Sequence, residues 1–402
     1  MNILFLALSF STKDHVSFYE DLLREFKLHG HNIYVACANE KRSNETDGIE
    51  DVNGITVLRI RTGNITGNVP LIEKGLSTLQ IDSLFLKAVK REFGNIKFDL
   101  IMYPTPPITL VNTINAMKKR TGAKTYLLLK DIFPQNAVDL GMMTTKGPKK
   151  FLYQYFRKKE KKLYNISDYI GCMSPANCEY VIRHNSEVKA EKVEVCPNCL
   201  KVEEPPVLDL NSHNQFRHRY NIPIDATIFL YGGNLGKPQG IDFYVQCLKK
   251  EIHNQKAFFI TVGSGSEKKK IEQYIDENHP QNAILLDYLP KDEYQRIADQ
   301  CDVGMIFLDH RFTIPNFPSR ILAYMAAAKP VLVATDTASD MGMIAENNGF
   351  GKWCESNDLE GFSKAVSFFI KSDKEEMGQK GWAYFKDNYS LENGYITVMN
   401  HF

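Results

Sequence analysis

The segment Thr227–Lys250, TIFLYGGNLGKPQGIDFYVQCLKK, decides how this chain is read. It opens on TIFL, a short apolar run of strand type, and closes on IDFYVQCLKK, which reads as a helix. Between them YGGNLGKPQG, residues 231–240, gathers glycines, an asparagine, a proline and a single lysine. Glycines at the end of a buried strand let the backbone approach a ligand and leave peptide N–H groups unhindered. The start of the following helix adds roughly half a positive charge. Lys237 can neutralise one phosphate oxygen. A plain tight turn would also account for the glycines. It would not need the lysine, which favours an anion site for a phosphate or diphosphate.

Working outward, strand-like and helix-like segments alternate. NILFLAL precedes SFYEDLLREFKLHG, in which Phe18, Leu22, Leu23 and Phe26 share a helical face and Gly30 is placed as a C-cap. NIYVACA, DLIMYP, KTYLLLK, DYIGCMS and KVEVCP are further strands. A Pro-rich polar break falls at 200–212, after which TIFLYGG, AFFITVGSG, NAILLDYLP, VGMIFLD and KPVLVATD resume the pattern. Near-continuous apolar strands between amphipathic helices imply parallel sheets covered on both faces. The expected fold class is α/β, with two doubly wound Rossmann-like domains facing a cleft. The expected boundaries are 1–198, 199–384, and a C-terminal helix over 385–402 crossing back to the first domain. Ligands of such sheets bind at the carboxyl ends of the strands.

Bulk properties exclude several classes. The 402 residues carry a formal net charge of +1, so the chain as a whole is no nucleic-acid binder by electrostatics. Apolar residues make up 43% and charged residues 24%, as in globular proteins. No run of 18 apolar residues suggests a membrane span, and MNILFLALSFSTKDH reads as a buried first strand and not a signal peptide. The eight cysteines are scattered in apolar surroundings, which fits a reducing, cytoplasmic location. Cys196 and Cys199, in CPNC, have redox or zinc spacing but lack further ligands nearby, so an inert role is expected.

Other stretches bear on chemistry. GSGSEKKK, 263–270, offers Gly263 and Gly265 without the third glycine of a dinucleotide fingerprint, and there is no P-loop motif. In PNFPSRILAYMAAAKPVLVATD, 315–336, Pro318 and Ser319 mark a helix start with Ser319 as N-cap. Arg320 adds a fork of donors there, unless it merely pairs with a surface carboxylate. Asp131, in LLLKDIFPQNAVDLGMM, directly follows a buried strand. It could accept a proton or bind sugar hydroxyls, or equally cap the next turn. YPTPPITL, 103–110, is a stiff loop at another strand end and carries Thr105. FLYQYFRKKEKKLY, 151–164, combines Phe151, Leu152, Tyr155 and Phe156 with lysines. It reads first as a helix docking its aromatic face on the sheet, with a membrane-surface helix as the alternative.

Taken in order, HGHNIYVACA, YPTPPITL, LKDIFPQNAVDLG, LYGGNLGKPQG, VGSGSE, the 315–336 stretch and IAENNGFG resemble the family-4 retaining glycosyltransferases of the GT-B fold. The bacterial capsule and O-antigen enzymes, including those similar to N-acetylfucosaminyl transferases, are the members resembled. The resemblance implies a UDP-sugar donor, with an N-acetylated sugar, bound by the second domain. Gly232, Gly233, Asn234, Gly236, Lys237 and Gly263 would then surround the diphosphate, the backbone at Tyr288 and Leu289 would hold the base, and Asn316, Pro318, Ser319 and Arg320 would line the phosphate and sugar. Asp14, His15, Thr105 and Asp131 would face a polyprenyl-diphosphate-linked saccharide acceptor. Lys237, Arg320 and Asp131 would carry a metal-independent, retaining transfer, with no cofactor. A lipid-linked acceptor would be met at the inner face of the cytoplasmic membrane. Two positions depart from the family: Pro315 and Ala323 stand where many members have glutamates, and Glu346 is a candidate replacement. A UDP-sugar epimerase or a non-catalytic nucleotide-sugar-binding subunit are the alternative functions.

Overall fold

The computed structural model describes residues 1–10, 17–67 and 69–402. They form two compact units, Met1–Leu200 together with Leu391–Phe402, and Lys201–Ser390.

The first unit is built on strands β1 (Asn2–Ala7), β2 (Asn32–Glu40), β3 (Gly48–Val52), β4 (Ile55–Thr62), β5 (Leu100–Pro104), β6 (Lys124–Leu129), β7 (Tyr169–Cys172) and β8 (Val193–Val195). Their spatial order is β3-β4-β2-β1-β5-β6-β7-β8. All neighbours are parallel except β3 and β4. Alternate residues of β1 enter opposite cores: Leu4 and Leu6 lie in one, Ile3, Phe5 and Ala7 in the other. Both faces are covered, which is why the strand reads as continuously apolar.

The β3–β4 hairpin is absent from the strands expected above. Its turn is Asn53-Gly54, both with positive φ (53° and 76°), the conformation a two-residue hairpin requires. Arginines interrupt the apolar pattern of β4 and hide it. Arg59 is nonetheless buried, held by Glu45 at 2.7 Å and Glu50 at 2.5 Å.

The helix Phe18–Leu28 follows β1, with a Ser17–Glu20 capping box at its start and Leu22, Leu23 and Phe26 buried. The last helix, Leu391–Met399, packs on it. The Tyr395 ring stacks on His29 at 3.9 Å and meets Phe26 edge-on at 4.9 Å. His401 then bonds Glu194 at 2.7 Å. Cys196 and Cys199 are free and buried, and burial pushes the Cys199 thiol up to about 12, so neither is poised as a nucleophile.

The second unit carries β9 (Thr227–Asn234), β10 (Ala257–Ser264), β11 (Ala283–Leu286), β12 (Val303–Phe307), β13 (Val331–Thr335) and β14 (Gly351–Glu355), in the order β11-β10-β9-β12-β13-β14. Every pairing is parallel. The chain starts in the middle, builds outward one way, then returns to build the other way. The reversal leaves a crevice beyond the carboxyl ends of β9 and β12, where ligands of doubly wound sheets bind. Residues 231–240 begin at that point. Among the described residues, no helix is long and apolar enough to cross a membrane.

Candidate active site

The carboxyl end of β9 is where the sheet gives way to the glycine loop. Tyr231 is fully buried, while Gly233 and Asn234 emerge at the surface. The reason for the glycines differs from the one read in sequence. A side chain at Gly232 would collide with the hydroxyl end of Tyr294. One at Gly233, where φ is +112°, would come within 2.6 Å of the Arg320 guanidinium. Gly263, at the end of β10, lies where any Cβ would strike the carbonyl of Gly233. The two strand ends remain in register to Gly263–Gly233 and Ser264–Asn234. These glycines let the protein close on itself and seat Arg320.

Arg320 opens the helix Arg320–Ala326 and lays its guanidinium over the Tyr231 ring, 4.7 Å from the centroid. Its expected alternative, a surface carboxylate partner, is not found: among the described residues no Asp or Glu forms an ion pair with it. Tyrosines surround it instead, and Tyr324 anchors its own hydroxyl on the Leu230 carbonyl at 3.0 Å. A half-buried guanidinium without a counter-charge favours an anion.

Lys237 begins a short 3₁₀ turn, Lys237–Gln239, and its exposed side chain likewise has no ion pair among the described residues. The Gln239 side chain folds back to accept from the Gly236 N–H (3.2 Å) and the Asn234 amide (3.3 Å), which fixes the loop. Gly240, at φ +58°, then starts the helix Ile241–Lys250.

The 315–320 segment corrects one reading. Ser319 occupies the N-cap position, but its backbone is already helical (φ −64°, ψ −7°) and its side chain makes no capping bond. The helix it starts has only seven residues, so the anion-attracting group there is the guanidinium and not a long helix dipole. Asn316 has a side-chain N–H group that is buried without an acceptor, while its carbonyl takes the Ser339 hydroxyl at 2.8 Å. Ala323 is exposed one turn beyond Arg320. Glu346, the candidate replacement for the missing glutamates, is engaged within its own neighbourhood. It sits near the end of the helix Met341–Asn347, pairs with Lys352 at 2.5 Å and accepts from the Trp353 N–H at 3.3 Å. A helix antiparallel to its strands carries its last turn to the amino edge of the sheet, away from the crevice. Tyr288 and Leu289 follow β11 at the sheet edge, and among the described residues their peptide groups enter no backbone hydrogen bond.

In the first unit, β5 and β6 bring Thr105 and Asp131 together. Thr105 is buried and its hydroxyl is fully engaged: it accepts from the peptide N–H of Lys130 (3.0 Å) and Asp131 (3.2 Å) and lies 3.2 Å from the Asp131 carbonyl. It therefore braces the Asp131 backbone. The Asp131 carboxylate caps no turn and has no hydrogen-bond partner among the described residues. Burial alone pushes it up to about 6. Its charge in turn helps to raise the Tyr19 hydroxyl, after burial of that ring. Asp14 and His15 lie outside the described residues.

Residues 226–372, which contain the whole of this β9–β14 sheet, match the family model Glycosyl transferases group 1. The fold superposes over all of this chain and 99% of a solved structure of HepE from Anabaena in complex with UDP, with a TM-score of 0.70 at 15% identity. The fold is GT-B. Along the sequence, a probable glycosyltransferase of Pseudomonas aeruginosa, WbjE, is 24% identical over 80% of this chain and 78% of its own length. A putative colanic acid biosynthesis glycosyl transferase of Escherichia coli, WcaI, is 20% identical over 67% of this chain and 65% of its own.

Within residues 226–372, Tyr231, Tyr294 and Tyr324 form the seat of Arg320, and sequence reading missed all three. They come from a strand, from the helix Lys291–Gln300 and from the helix Arg320–Ala326. No local spacing connects them. Tyr19 in the first unit escaped for the same reason. The one available signal was the pair of adjacent glycines at 232–233, which marks a place where something presses on the backbone.

Proposed function

We propose that this GT-B glycosyltransferase moves a sugar, N-acetylated, from a UDP-sugar to a polyprenyl-diphosphate-linked saccharide in the assembly of a surface polysaccharide. The observation that carries the reading is the pair of cations at one strand end, Arg320 and Lys237, neither with a carboxylate partner among the described residues. A diphosphate bears charge enough to engage both. The complex of HepE with UDP and the colanic acid assignment of WcaI support the donor and the pathway class.

In the proposed reaction the acceptor hydroxyl attacks the anomeric carbon on the face from which UDP departs, so configuration is retained. The bond from that carbon to the phosphate oxygen breaks as the new glycosidic bond forms. The hydroxyl proton passes to the leaving diphosphate. Lys237 and Arg320 stabilise the growing phosphate charge, the role a divalent cation fills elsewhere. The peptide groups at Tyr288 and Leu289 offer the base a donor and an acceptor, and the buried Asn316 amide offers a further donor to the phosphate–sugar region. Asp131, held by Thr105, orients acceptor hydroxyls.

Titration calorimetry with UDP, GDP and their N-acetylated sugar derivatives tests the donor. Heat of binding for UDP compounds, weakened in Lys237→Ala and in Arg320→Lys, is expected. No binding of any nucleotide by folded wild-type protein would overturn the proposal. Product formed on a lipid-linked acceptor separates transfer from epimerisation of free UDP-sugar and from binding without turnover.

A further inference from the structure

The helix Lys150–Ile166 divides into two halves with opposite fates. Its second half buries Glu160, Leu163 and Tyr164, and Phe156 packs edge-on against Phe133 at 5.0 Å. Its first half does not follow the expected docking of all its aromatics. Phe151 is 68% exposed, Leu152 53% and Tyr155 37%, and Met142 in the preceding loop is 60% exposed. Helical geometry sets Phe151, Tyr155, Lys158 and Lys162 in one stripe, with Leu152 and Lys159 beside it, on the side away from the buried Glu160 and Tyr164. Lys159 lies over the Tyr155 ring at 5.8 Å.

The charge around this stripe is one-sided. Between residues 141 and 162 the sequence has seven lysines and Arg157, against Glu160 alone. Arg157 neutralises that glutamate at 2.5 Å, and Lys161 pairs with Glu187 at 3.1 Å. Lys146, Lys149, Lys150, Lys158, Lys159 and Lys162 have no ion pair among the described residues. This occurs in a chain whose total charge is only +1. A basic face alone would suit any polyanion. Four exposed apolar side chains gain only from a surface with a hydrocarbon interior behind its charge.

We infer that the 142–162 segment is a docking surface for an anionic lipid bilayer, with Met142, Phe151, Leu152 and Tyr155 entering the headgroup–acyl boundary and the lysines meeting acidic headgroups. The inference does not depend on which nucleotide sugar the second unit takes.

The test is sedimentation of the full chain with phosphatidylcholine vesicles, alone or mixed equally with phosphatidylglycerol. Binding to the mixed vesicles, weakened by salt and nearly absent on phosphatidylcholine alone, is expected. Each lysine reversed in Lys149→Glu/Lys150→Glu should cost about fivefold or more in partitioning. Phe151→Ser/Leu152→Ser should also release the protein while leaving UDP calorimetry unchanged. Vesicle binding by a chain that binds no nucleotide would support the docking surface while removing the donor reading. Equal binding to both vesicle types, no binding to either, or variants that bind like wild type would overturn it. So would a dimer in vesicle-free light scattering that Phe151→Ser/Leu152→Ser disperses, since that assigns the face to a second copy.

Discussion

Asp131 and Arg320 occupy comparable places in the two units. Asp131 directly follows the end of β6 and Arg320 lies against the end of β9, each is partly buried, and neither has an opposite charge beside it among the described residues. They respond differently because their chemistry differs. A carboxylate can escape desolvation by keeping its proton, and Asp131 is pushed up to about 6. A guanidinium cannot lose its charge near neutral pH, so Arg320 is accommodated by the π-face of Tyr231. One unit holds a group that changes its charge near neutrality. The other holds a permanent cation, with Lys237 close along the loop.

The most severe way to break this arrangement is through the backbone that seats Arg320. Gly263→Ala would force a Cβ into the Gly233 carbonyl, and a loss of about 3 kcal/mol or more from the second unit is expected, read as a lowered Tm and faster proteolysis of that unit. Next in size is Lys237→Ala. Transfer should fall by ~10²-fold or more, the scale of removing one electrostatic stabiliser, with the fold intact because the side chain is exposed. Unchanged transfer in the folded variant would remove Lys237 from the diphosphate site.

Asp131 sharpens the other side of the comparison. Its folded pKa is raised, so the native state holds the proton more tightly than the unfolded chain does. Stability from this group therefore falls as pH rises from about 4 to about 6, and the full penalty stands above that. Asp131→Asn should be more stable than wild type at pH 8, by roughly 1–3 kcal/mol, and no different below about pH 4. Transfer by the wild type should rise with pH through about 6 if the ionised form orients the acceptor, and the Asn variant should lose that rise. The smallest effect belongs to the far surface. Phe151→Ser should move stability by no more than about 0.5 kcal/mol, because its ring is already exposed.

Much of the fold was legible. Apolar strand runs, amphipathic helices and the polar break near residue 200 are local patterns, and local patterns survive in sequence. The β3–β4 hairpin was not, because Arg59 looks like a surface residue until Glu45 and Glu50 are brought to it. In each unit the candidate charges, Lys237 and Arg320 in one and Asp131 in the other, could be picked out from the apolar runs and turn residues beside them. It was not legible that Thr105 would serve as a brace or that Glu346 would be paired with Lys352.

The sequence by itself determined that strands and helices alternate, that glycines crowd the end of one strand, and which charges follow the strand ends. Only the tertiary structure decided which of those charges have no ion-pair partner among the described residues, and that the glycines make room for Tyr294, Arg320 and a neighbouring backbone. The reason is that periodicity is a property of neighbours along the chain. A missing counter-charge or a filled space is a property of neighbours in space, and those come from segments that share no spacing.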